Sequence, residues 1–115
     1  MEIVNQTQNS VLANQVRTAD SFLTRLVGLL DKKEIFPGEA LVITQCQQIH
    51  MFFMKFSLDV VFVDRSDVVV GLVENIKPFA MSPIFLQSHR AIELPAGAIS
   101  KSRTSLGDTI QFLIR

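Results

Sequence analysis

Apolar positions in this chain recur with two different periods, and each period predicts a different kind of element. After Asp20, the residues Phe22, Leu23, Leu26, Val27, Leu29 and Leu30 fall near helical spacing. Asp20 suits an N-cap, and Lys32 and Lys33 suit the last turn, so a short helix is predicted over residues 21–30. Almost everything else reads as strand. Residues 40–44 form a β-rich run after the Pro37-Gly38 turn. Residues 58–63 and 68–73 are rich in β-branched side chains and flank Asp64-Arg65-Ser66-Asp67, whose polar residues favour a turn. That pair is predicted to be a hairpin. Residues 91–94 and 109–114 are two more short strands, with 11–16 and 3–4 as further candidates.

Short strands at close spacing with one helix predict a mainly β fold: a compact antiparallel β-barrel or sandwich, the helix packed across it at one barrel mouth. Residues 78–83, Pro-Phe-Ala-Met-Ser-Pro, make an apolar connection whose Phe79 and Met81 are expected to fold back onto the sheet. If exposed together instead, they would form a patch suited to docking a partner protein. Gly97 and Gly107 supply positive φ for tight turns that feed strands, and Asp108 is placed to bond its own downstream amide.

Composition narrows the class. A chain of 115 residues fits a single domain over its whole length and buries roughly two thirds of its unfolded surface. Nine Phe with no Tyr or Trp place large apolar area without a polar handle, so most rings belong inside. Eleven basic and eleven acidic residues cancel, which argues against nucleic acid as a partner and permits a monomer or weak homodimer. No apolar run approaches the roughly 20 residues of a membrane span. A single cysteine and no basic-then-apolar start point to a soluble protein of the cytoplasm.

Four segments in order carry a family resemblance: Arg25-Leu26-Val27-Gly28-Leu29, then Phe53-Met54-Lys55 running into residues 58–64, Glu93-Leu94-Pro95-Ala96-Gly97, and Leu106-Gly107-Asp108. Together they resemble the bacterial and archaeal DUF192 family, domain of unknown function 192, over about residues 10–115. Phe53 departs from the tryptophan frequent there, and a leader of the kind many members carry is not expected here. The resemblance implies a small β-rich fold with no established activity, here in a bacterial protein. It also implies a pilus or secretion assembly component as one class of partner.

The polar residues offer three chemistries. Cys46, His50 and Met54 are soft donors suited to Cu(I) or zinc, but the set lacks the second Cys or His pair of a structural zinc site, and no cofactor or metal is expected. Cys46 beside His50 also has the types of a nucleophile and base, yet Gln45, Gln47 and Gln48 provide no charge to favour a thiolate. The third set is His50, Lys55, Asp59 and Glu93. Strand alternation puts Asp59 with Val61 and Val63, so a carboxylate sits on an otherwise apolar face and needs a partner. Lys55, His50 or backbone amides at a strand end could serve as that partner: either Lys55 pairs with Asp59 structurally, or His50, Lys55, Asp59 and Glu93 gather at a barrel rim and hold a small polar ligand. An acid–base pair of His50 with Asp59 or Glu93 would instead make the protein a hydrolase-type enzyme. A non-catalytic module binding a small polar ligand or a partner protein is the expected function.

Overall fold

A computed structural model describes residues 1–19, 35–52 and 54–114. Among the described residues the strands are β1 (Glu2–Asn5), β2 (Ser10–Ala13), β3 (Gln15–Ala19), β4 (Glu39–Thr44), β5 (Leu58–Val63), β6 (Val69–Ile76), β7 (Arg90–Pro95) and β8 (Ile110–Leu113), with a short helix, α1 (Ala98–Ser102), between the last two strands. The strand at 58–63 appears with the predicted bounds, and the hairpin forms as expected. Its turn is held by Asp64, whose carboxylate accepts the amides of Ser66 at 2.9 Å and Val68 at 3.0 Å.

Two sheets form, one of five strands in the order β3-β4-β7-β5-β6 and one of three in the order β2-β1-β8. They do not close into a barrel, so the sandwich form of the expected fold is the one adopted. Asn14 is where the barrel expectation fails. The predicted strand at 11–16 breaks there, because the amides of Asn14 and Gln15 both donate to the Gly38 carbonyl at 2.9 Å. The chain therefore leaves the small sheet after β2 and enters the large one as β3. There it pairs with β4 in parallel, which corrects the expectation of an all-antiparallel fold. The helix predicted over 21–30 lies outside the described residues.

Both faces of the large sheet are covered, and all six residues of β5 are buried. Leu41, Ile43, Met51, Leu58, Val60 and Phe62 belong to the core on one face. Ile3, Leu12, Val42, Val61, Ile92 and Ile110 fill the space between the sheets on the other. A continuous apolar run such as 60–63 is what burial on both faces demands.

Arg90 adds a tie at the sheet edge. Its guanidinium pairs with Asp67 in the hairpin turn and lies over the Phe112 ring at 3.9 Å.

Gly71 in β6 marks where packing leaves no room for a side chain. The Phe85 ring stacks on Phe62, with centroids 4.5 Å apart, and an added Cβ at Gly71 would stand 2.6 Å from that ring. Gly71→Ala is expected to cost about 1–3 kcal/mol through overpacking. Chemical denaturation checks this, and an unchanged midpoint would mean that the ring yields freely.

Candidate functional site

Asp59 begins as a problem of desolvation, since it is fully buried on the face that carries Val61 and Val63. The fold answers with backbone rather than with a cation. One carboxylate oxygen accepts the Asn75 amide at 2.8 Å, and the other accepts the amides of Gly97 at 3.0 Å and Ile99 at 2.9 Å. Asn75 has φ 53 and interrupts the pairing of β5 with β6, which frees its amide for this contact. Gly97 has φ 96 and starts α1 without a side chain of its own, so Asp59 caps the helix from another strand. Residues 95–97 thus feed a helix, where a strand was expected. Lys55 is exposed and makes no ion pair among the described residues, so the Lys55–Asp59 pair does not form.

Glu93 is buried too, but elsewhere. It stands opposite Leu41 and Val60, whereas Asp59 stands opposite Leu94. Residues directly opposite in an antiparallel pair share a face, so the two carboxylates point to opposite sides of the large sheet. The expected gathering of His50, Asp59 and Glu93 at one rim is overturned, because the two carboxylates lie on opposite faces of the sheet. Parity along one strand was legible from sequence; the register between β5 and β7 was not.

His50 and Lys55 lie on the segment between β4 and β5. Residues 49–51 run antiparallel to residues 79–82, with Ser82 donating to the Ile49 carbonyl, Met51 to Ala80 and Phe79 to Met51, each at 2.8 Å. The alternation sends Ile49 and Met51 into the core and leaves His50 half-buried beside Met81, its ring 4.8 Å from that of Phe52. Phe79 and Met81 do not fold back onto the sheet: they are 66% and 56% exposed. Of the soft-donor set, Met54 lies in the core and the Cys46 thiol donates to the Gln48 carbonyl at 3.3 Å.

A second buried polar cluster was missed as such. The Asn5 carboxamide donates to Thr104 at 3.0 Å and to Asp108 at 2.9 Å, and its oxygen accepts the Gln8 amide. Asp108 accepts the amide of Ser105 at 2.9 Å, three residues upstream rather than downstream as expected, and the Gln8 side chain at 3.2 Å. Burial pushes the Asp108 carboxyl up, but the bonds from Asn5, Ser105 and Gln8 outweigh it and hold it below its usual range. The signal available in sequence was an Asn in a short strand and a Gly-Asp pair, each unremarkable alone.

The DUF192 family model, described as "Uncharacterized ACR, COG1430", matches residues 3–112. The chain belongs to that family. Among its relatives, a UPF0127 protein of Pyrococcus horikoshii is 34% identical over 116 residues, covering 96% of this chain and 97% of the relative. A UPF0127 protein of Thermococcus sibiricus is 32% identical over 117 residues, covering 96% of this chain and 73% of the relative. Both relatives are archaeal and lend no support to a bacterial source. The crystal structure of a protein of unknown function from Novosphingobium aromaticivorans superposes on this DUF192 chain with a TM-score of 0.79 at 15% identity, covering 96% of this chain and 82% of the other. That likeness establishes the fold alone.

Proposed function

We propose that this DUF192 domain is a non-catalytic docking module that binds a partner protein through the edge formed by residues 50–52, 54–55 and 77–81. The observation that carries the reading is the backbone of Phe79. The Ala80 amide donates to the Lys77 carbonyl at 3.1 Å, closing a turn with Pro78 second and Phe79 third. Phe79 has φ 67, and the third position of a Pro-led turn with positive φ ordinarily calls for glycine or asparagine. A bulky side chain there costs on the order of 1 kcal/mol. Phe79 recovers little of that by burial, since its ring stands mostly in solvent. Strain kept to present an exposed aromatic ring fits a contact residue.

The surroundings indicate the partner's chemistry. Phe52, Phe79 and Met81 are exposed and apolar, while Lys55 and Lys77 are exposed on the same two segments and make no ion pair among the described residues. An apolar patch with a basic rim complements an apolar segment flanked by acidic residues. A pilus or secretion assembly component carrying such a segment is the partner class to which the family resemblance points. The small-ligand version loses Asp59, which is engaged by amides, and keeps His50 and Lys55 with Glu93, whose face of the sheet is the one packed by Met51 and Met54. No helix of the described residues is long and apolar enough to cross a membrane.

Phe79→Gly separates the reading from a structural role. Glycine relieves the turn, so the variant is expected to match or exceed the parent's stability by up to about 1 kcal/mol. In a pulldown from cells that encode the protein, the same variant is expected to lose at least about tenfold of the partner recovered by the parent. Lys55→Glu with Lys77→Glu should weaken recovery further. Equal recovery by the parent and by folded Phe79→Gly would overturn the proposal.

A further inference from the structure

A cavity of about 500 Å³ lies away from the docking edge, between β2, the turn at Pro37-Gly38 and the segment from Pro95 to Ser102. That volume falls within the range of small-molecule sites. Val11, Ala13, Pro37, Pro95 and Ala98 contribute apolar surface, and two prolines make part of the wall stiff before any ligand arrives. Among the described residues, the lining contains no carboxylate. It does contain Lys101, an exposed cation that makes no ion pair among the described residues. Asn14 adds an amide at the same opening, its side-chain oxygen lying over Gly38, where an added Cβ would stand 3.0 Å from it. The amides of Gly97 and Ile99 are already engaged by Asp59, so Lys101 is the group that sets the sign of charge.

We infer that this groove binds a small amphiphilic carboxylate, its apolar body against Val11, Ala13 and the two prolines and its charged end at Lys101. A neutral molecule of the same shape would forgo the contact with Lys101, and a cation would be repelled by it. The inference is independent of the docking edge, because none of residues 50–52, 54–55 or 77–81 lines the groove.

The test uses the full chain, isotope-labelled, titrated with octanoate and separately with octanamide while backbone amide resonances are followed. Saturable shifts centred on Gly38, Gly97 and Lys101 are expected with octanoate, with affinity at least about fivefold weaker for octanamide. Lys101→Glu, an exposed substitution that leaves the fold intact, should weaken octanoate by at least as much. Ala96→Trp, also at an exposed position on the lining, should block binding by filling the space. Three results would each overturn the inference: absence of saturable shifts, shifts centred on Phe79 rather than on the groove, or equal octanoate affinity in the parent and Lys101→Glu.

Discussion

Asp59→Ala is expected to lower stability by about 3 kcal/mol, because three backbone donors lose their acceptor at once. The loss is less than three full penalties. Asn75 and Gly97 lie at exposed positions where water can reach their amides, whereas Ile99 is buried. For a domain of this size the change corresponds to a fall in Tm of about 12 °C. Asp59→Asn should recover little. The carboxamide has one acceptor oxygen, and its nitrogen would face at least one N–H that needs an acceptor. A catalytic carboxylate behaves differently, since its amide variant folds normally and loses only turnover. Thermal melts of the two variants therefore distinguish the roles, and an Asp59→Asn protein as stable as the parent would return Asp59 to the list of chemical candidates.

Asp108→Asn is expected to cost about 2 kcal/mol at neutral pH, the scale of hydrogen bonds to a charged group. Its pH dependence is the more specific signature. The bonds from Asn5, Ser105 and Gln8 hold the folded carboxyl below its ordinary value. The contribution is thus fully present above about pH 4 and is lost as the pH falls through the lower, folded value. Stability of the parent, followed by denaturant midpoint, should decline through this acid range more steeply than that of Asp108→Asn. Parallel declines would show that the Asp108 cluster is not the source of acid sensitivity.

The hairpin of β5 and β6 could be read directly from the chain, because a β-branched run, a polar turn and a second such run are each local signals. What could not be read depended on contacts distant in sequence. The break at Asn14 requires the Gly38 carbonyl, and the five-residue helix α1 takes its cap from Asp59, about forty positions earlier. The expectation that acidic groups lie where a β shell opens to water failed for the same reason. Asp59 is satisfied in the interior by amides, which no residue-type pattern announces. Phe79 and Met81 were recognised as candidates, but only the turn geometry showed that their side chains stay outside. The groove beside Lys101 is assembled from three separate segments of mostly small residues, so no single motif marked it.

The place of β1 in the small sheet has a consequence for how a newly made chain matures. Its two neighbours are β2, which follows at once, and β8, which comes about a hundred residues later. Asn5 likewise waits for Thr104 and Asp108, 99 and 103 residues later. Until those residues leave the ribosome, the first hairpin has an open edge, and the Asn5 carboxamide has Gln8 as its acceptor's partner but lacks the two acceptors for its own NH2 group. The small sheet therefore cannot be completed before β8 has emerged, and chains arrested short of it are the species most exposed to mispairing and to chaperone capture.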